Sequence, residues 1–278
     1  HRYIRRQRQM CIRDSCRCHP RSLPGSGPGD CVGVLSGTPR LADRVPDSSQ
    51  DFEKQGRSSV SSASAERIKQ LARESKVCGL SGDPSLPENL RDLIREADQS
   101  KRLLSDEEIQ ECCDWSGLEA APLTALQRQV SDLVDQARAD LLNEQPQLVQ
   151  PGGKLYPQDR ADACWRDCFH FLRVSIYGTA LGKSDVTDSD GMQCLAELYA
   201  LLDVPVPGLL LALNRLRLHS VDSYSKLGAG VDAKTLSDAL SHLGNMIRKE
   251  MKRHDGSRQG SSEACLLYTS DAADECSG

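Results

Sequence analysis

Between Arg160 and Gly182 the chain reads RADACWRDCFHFLRVSIYGTALG. On an ideal helix Cys164, Asp167, Cys168 and Phe171 share one face, because residues three and four apart are neighbours. A thiol held beside a carboxylate either binds something or is buried with a partner. With His170 and Cys194 near in sequence, the set could suggest zinc, but structural zinc sites use tighter spacings carried on loops. Cys168 and Cys194 read more simply as buried apolar thiols. Taken alone, Arg166-Asp167 is an exposed charge pair worth little. Phe169 and Phe171 read as packing, as do Cys112 and Cys113. No nucleophile, base and oxyanion-stabilising group occur together, so an enzyme is not expected.

The elements that must hold this stretch are helical. PENLRDLIREAD places Leu90, Leu93, Ile94 and Ala97 on one stripe, and Ser105 with Glu108 has capping-box spacing at the next start. Leu126, Val130, Leu133, Val134, Ala137 and Leu141 continue at helical intervals. Pro151-Gly152-Gly153 then breaks the chain ahead of the Cys164 helix. DSDGMQCLAELYALL follows, and Pro205 and Pro207 stand at the entry to another helix. Asp232 can cap a last one with Leu236, Leu240, Leu243 and Ile247 on one face. No alternating strand pattern competes, so the expectation is an all-α domain of seven or eight helices over residues 87–252.

Composition narrows the function classes. The 278 residues allow one or two domains, and an aromatic content of 4% leaves one modest core with much loop. A net charge of -5, with no Lys/Arg stripe interleaved with aromatics, gives no reason to expect nucleic acid. No apolar run is long enough to span a membrane, and no leader with a cleavage site is visible. The 12 cysteines do not form one framework. Cys11, Cys16, Cys18 and Cys31 lie at one end, Cys265 and Cys276 at the other, Cys78 ahead of the helices, and the helical middle holds Cys112, Cys113, Cys164, Cys168 and Cys194. That scatter suits reduced thiols.

Both ends read as foreign to the domain. One short DNA string encodes Arg5 to Asp14, and its reverse complement encodes Cys265 to Asp274, as expected of an adapter that has been translated. Residues 5–15 and 265–275 are therefore set aside, including Met10-Cys11-Ile12-Arg13-Asp14-Ser15, which imitates the central Cys-x-Arg-Asp motif. Residues 16–86 are rich in Pro, Gly, Ser and Arg, with little periodicity apart from SAERIKQLARESK, and are expected to be disordered, as translated upstream or linker sequence. The tail 253–264 reads as linker too.

From about Leu90 to Lys252 the chain resembles the phycobiliproteins, the bilin-carrying subunits of phycobilisome antennae, and is most like their β-type chains. The motifs are NEQPQLVQPGGKLYPQDRADACWRDCFHFLRVSIYGTALG (Asn143 to Gly182) and LAELYALLDVP (Leu195 to Pro205). The resemblance implies a globin-like helical bundle preceded by a two-helix N-terminal pairing arm, Pro87 to Cys113. It implies one linear tetrapyrrole bilin per chain, of phycocyanobilin or phycoerythrobilin type, thioether-linked to Cys164 through its thiolate. It places Asp167 as acceptor for the pyrrole N–H groups, Arg166 and Arg160 opposite the propionates, and Tyr199 in the pocket wall.

Three positions depart from the family pattern. Lys154 replaces a pocket asparagine, Asp159 replaces a second arginine, and Ala233 stands at the second bilin cysteine. Asp98, Arg173 and Tyr177 match positions that join α-type and β-type subunits. The implied partners are an α-type subunit, ring assemblies, linker polypeptides and a bilin lyase, at the cytoplasmic or stromal face of the thylakoid membrane. Two functions follow: a light-harvesting subunit, or a divergent assembly, linker or sensory module without antenna function. Cys164, Asp167 and Arg160 favour the first, Lys154 and Asp159 the second.

Overall fold

The structure, a computed structural model, describes the backbone of residues 63–270 and the side chains of 63–256. These residues form nine α-helices: α1 (63–74), α2 (Glu88–Gln99), α3 (Asp106–Ser116), α4 (Ala120–Gln127), α5 (Val130–Glu144), α6 (Gln158–Ala180), α7 (Ser189–Leu201), α8 (Val206–Lys226) and α9 (Asp232–Ser270). Among the described residues, extended backbone pairs at one point, the antiparallel bridge between Cys78 and Thr187. The all-α expectation holds.

Local chemistry accounts for the helix starts and stops. Ser105 accepts from the Glu108 N–H at 3.2 Å and donates its own N–H to the Glu108 carboxylate at 2.7 Å, so the capping box opens α3. Gly117, at φ 74°, closes that helix in a left-handed conformation that favours glycine. Pro205 and Pro207 flank the first turn of α8, where a missing N–H costs nothing.

The core forms around α6. Every residue from Phe171 to Leu181 is buried, so this half of the helix is covered all round. Helices α3, α4, α5, α8 and α9 all pack on it, while α5 and α9 also pack on α8 and α9 closes over α7. Leu133, Leu141, Leu172, Leu213, Leu216, Leu240 and Leu243 join one apolar cluster across these helices.

Three expectations change here. First, residues 63–86 are structured where a linker was expected. In α1, Leu71 is buried and Arg67 makes two parallel hydrogen bonds, 2.8 and 2.6 Å, to Glu197 of α7. The following strap is stitched down by Asp188 N–H to Val77 C=O and Gly79 N–H to Val186 C=O, each 2.9 Å. Its fit depends on two close approaches: a Cβ on Gly79 would meet the Thr187 carbonyl, and one on Gly191 would meet the Lys76 carbonyl. Gly191→Ala is accordingly expected to lift the strap off α7, at a cost of about 1–3 kcal/mol. Limited proteolysis should then cut at Arg67, Lys69 or Arg73 several-fold faster than in wild type.

Second, the arm expected to pair with an α-type subunit keeps its apolar stripe within its own chain. Leu90, Ile94 and Ala97 are buried within the chain, and the 3-10 turn Leu80–Gly82 and Leu86 contribute to their cover. The strap supplies apolar surface that periodicity within residues 87–113 could not reveal. Third, the tail 253–264 continues α9, which runs through the first adapter-like residues to Ser270. An existing helix extends at the small cost of one residue at a time, and this stretch has no proline to stop it. The adapter-like residues 5–15 and 271–275 lie outside the described residues.

Candidate functional site

The second and third turns of α6 carry the site. Cys164 and Cys168 point to the buried side, 7% and 1% exposed, and both are free thiols. Asp167 lies between them in sequence and accepts a 2.8 Å hydrogen bond from the hydroxyl of Tyr199 on α7. Part of the Asp167 surface is open, but its carboxyl end is enclosed. That enclosure pushes its pKa up, against the Tyr199 hydrogen bond and the nearby charges of Arg166 and Lys101, which lower it. Burial and the Asp167 charge push the Tyr199 phenol well up, so it stays a donor. The Cys168 thiol is also raised, by its Cys164 neighbour, by burial and by the Asp167 charge.

Cys164, Asp167 and Tyr199 are thus brought together, whereas the basic residues go elsewhere. Arg160 donates to the carbonyls of Lys154 (2.7 Å), Leu202 (2.8 Å) and Asp203 (3.0 Å). It ties the start of α6 to the end of α7 one turn before Cys164. Lys154 is half-exposed and pairs with Asp203 at 2.7 Å. Its charge is paired with Asp203 at the surface, while Asp167 is paired with Tyr199. Asp203, at φ 49°, holds the turn that receives both cations. Arg166 is exposed and its side chain makes no hydrogen bond or ion pair among the described residues, leaving it available to an anionic group at the rim.

Further along α6, Arg173 is 4% exposed in its side chain and pairs with Asp98 at 2.7 Å. It also donates to the Tyr177 hydroxyl at 2.7 Å and lies 5.1 Å from that ring's centre. Tyr177 in turn donates to the carbonyl of Arg102. All three residues expected to join two subunits therefore close a latch inside one chain, because the arm turns back along α6. Gln127 of α4 secures the arm as well, accepting the Leu104 N–H (3.1 Å) and donating to its carbonyl (2.7 Å). Sequence reasoning missed Gln127 and Arg102; a buried amide among apolar neighbours leaves no periodic signal.

His170, between the two clusters, has a buried Nδ1 without a hydrogen-bond partner. Burial, then Arg173, pulls its pKa to about 3, so the ring is neutral at physiological pH. Among the described residues no three His, Cys, Asp or Glu side chains are placed to hold a metal, and no helix is long and apolar enough to cross a membrane.

An enclosed carboxyl with a raised pKa makes a definite prediction for the pigment-free chain. The folded state holds the Asp167 proton to higher pH than the unfolded state does. The contribution of Asp167 to stability is therefore fully present below the ordinary carboxylate range and is lost as pH rises through the raised folded value. Asp167→Asn should remove this part of the slope, which urea titrations across acidic to neutral pH will read. A slope unchanged in the variant contradicts the enclosure.

Comparison with known proteins agrees with this architecture. A family profile described as phycobilisome protein matches residues 92–247, more than half of the chain. An allophycocyanin subunit alpha-B from Nostoc sp. is 30% identical over 144 residues, covering 51% of this chain and 89% of the relative. A C-phycocyanin beta chain from Aglaothamnion neglectum is 30% identical over 152 residues, 54% of this chain and 86% of that one. A phycobiliprotein beta chain from Mastigocladus laminosus is 38% identical over 82 residues, 30% and 48% of the two chains. The chain belongs to the phycobilisome protein family, with the globin-like all-α fold of the phycobiliproteins.

Proposed function

We propose that this chain is a light-harvesting subunit that carries one open-chain tetrapyrrole on Cys164 and passes excitation energy within a phycobilisome. The observation that carries the reading is the enclosed cluster of Cys164, Asp167 and Tyr199. A nucleophilic thiol, an acceptor carboxylate and a phenol that orients it meet on an otherwise apolar face. These residues fit such a group. When bound, a bilin would supply a conjugated chromophore and a double bond to which a thiol adds.

The chain's own side chains would do the rest. Cys164 anchors. Asp167 accepts from inner N–H groups, and as an anion in an enclosed site it favours a protonated, cationic partner. That partner would relieve the burial that raises Asp167 in the free chain. Tyr199 fixes the carboxylate by its hydrogen bond, and Arg166 is free to meet a propionate at the rim. Arg160 can do the same only by giving up backbone carbonyls. With a thiol 7% exposed, attachment requires neighbouring side chains to part, a task for a bilin lyase. The proposed setting is the phycobilisome, peripheral to the thylakoid membrane, with an α-type subunit, ring assemblies and linker polypeptides as partners.

The second reading, an assembly or sensory module without antenna function, is favoured by one observation: the Asp98, Arg173 and Tyr177 latch is satisfied within the chain. Co-expression of the full chain with bilin synthesis and a panel of lyases separates the two. A zinc-fluorescent band at the chain's mass on a denaturing gel is expected. Its absence with every lyase overturns the antenna reading and leaves the module.

A further inference from the structure

The arm is held to its own body at both ends. At the C-terminal end α3 runs into α4 through Gly117, and Ser116 donates to the Ala180 carbonyl of α6 at 2.7 Å. At the N-terminal end the hold is spread over the segment that precedes the arm. The 3-10 turn Leu80–Gly82 is the main element packed on α2, and Leu80 and Leu86 are buried in one cluster with Leu90, Ile94 and Ala97. Lys183, just past α6, pairs with Asp83 at 3.2 Å and donates to the Ser85 hydroxyl at 2.6 Å. Val77 and Gly79 are bonded to the backbone of Asp188 and Val186, and α1 is tied to α7 by Arg67 and Glu197. This hold is weakest at α1. Leu71 is the one buried side chain of that helix. Arg67 and Glu197 keep 42% and 34% of their side chains in water, where an ion pair adds little. A helix of this length is marginal by itself, so α1 opens before the bundle does.

We propose that residues 63–86 are an autoinhibitory strap: docked on α7 they keep the arm on its own body, and once lifted they let the arm exchange with that of a second copy of this chain. The reason is connectivity. An arm anchored at both ends cannot swing out, whereas one freed at its N-terminal end can turn about Gly117. A second copy is the occupant because the receptor for the arm is already built into every chain. Arg173 receives Asp98, Tyr177 donates to the Arg102 carbonyl, and Gln127 holds both backbone groups of Leu104. Exchange remakes these same contacts between two chains and needs no new surface, which makes swapping an inexpensive route to a dimer. Chains that are closed do not pair, so the apparent dissociation constant rises as the free-arm fraction falls.

The inference concerns the partners of the proposed subunit and does not depend on its pigment. The full pigment-free chain is compared with two variants that leave the arm's own contacts intact, Arg67→Glu and Gly191→Ala, and with the reversed pair Arg67→Glu/Glu197→Arg. Sedimentation velocity over a range of concentrations reads the dimer, and limited proteolysis at Lys69 and Arg73 reads release of the strap. Wild type is expected to stay monomeric, and both single variants to dimerise at least about tenfold more tightly. The reversed pair should return towards wild type. Adding Asp98→Asn to Arg67→Glu should weaken the dimer again, because the latch then supplies the contact between chains. A released strap without a dimer overturns the proposal, as does a dimer indifferent to Asp98→Asn, which is adhesion of uncovered apolar surface. A strap that stays protected in both single variants also contradicts it, since these contacts are then not what holds it. Pairing of the released chain with an added α-type phycobiliprotein subunit and never with itself overturns the choice of occupant. None of these outcomes touches Cys164, and a missing zinc-fluorescent band leaves the strap proposal standing.

Discussion

Cys164→Ala is expected to abolish covalent pigment, from one bilin per chain to none, while the helical fold persists. Cys164 is the thiol to which the proposed function assigns attachment, on the same buried face of α6 as Asp167 three residues on. Alanine keeps the helix, since it has the highest helix propensity, and leaves only a sulfur-sized gap. Asp167→Asn should behave differently. The thiol remains, so attachment persists, but the anion that favours a protonated conjugated system is gone, and red-shifted absorption and fluorescence should weaken sharply. Peptide mapping of the co-expressed proteins checks both. Pigment found on Cys168, Cys194 or Cys112 with none on Cys164 would contradict the assignment.

Arg173→Ala is expected to be the most destabilising single change in the arm latch, at about 3 kcal/mol, the lower end for breaking a buried ion pair because Asp98 keeps 24% of its side chain in contact with water. For a domain of this size that corresponds to a fall in melting temperature of roughly 6–12 °C. The substitution removes the partner of Asp98, the donor to Tyr177 and a cation stacked near its ring, all in a place where water cannot fully replace them. A double-mutant cycle between Asp98→Ala and Arg173→Ala reports where the latch closes. Coupling that is independent of protein concentration matches the contact within one chain. Coupling that grows with concentration would mean that the arm of one copy sits on the body of another.

How much of this was legible beforehand depended on the range of the interaction. The stripes of α2 and α5, the Ser105–Glu108 cap and the proline entry of α8 all follow from residues within a turn or two of each other. Helical periodicity and capping are local chemistry, and the Cys164, Asp167 and Cys168 face of α6 is the same kind of fact. The order of motifs from Asn143 to Pro205 carried the family as well. The arm and strap were of another kind. Arg67 meets Glu197 across 130 residues, and Asp98 meets Arg173 across 75. Such pairs leave no periodic trace and form only when the whole bundle brings them close.

The same division runs through the site. Side-chain type announced that Cys164 could attack and Asp167 accept. Whether Lys154 and Arg160 would join them depended on which acceptors lay nearest after folding, and Asp203 with the carbonyls at the end of α7 claimed both. Gly79 and Gly191 show the reason most plainly. Each looks like an ordinary loop or helix-start glycine in sequence, and each is required by a carbonyl that approaches from the far side of the fold. Local propensity therefore determined the helices and the chemistry they carry, whereas long-range packing decided which charges the site retained and that residues 63–86 and the arm close on their own chain.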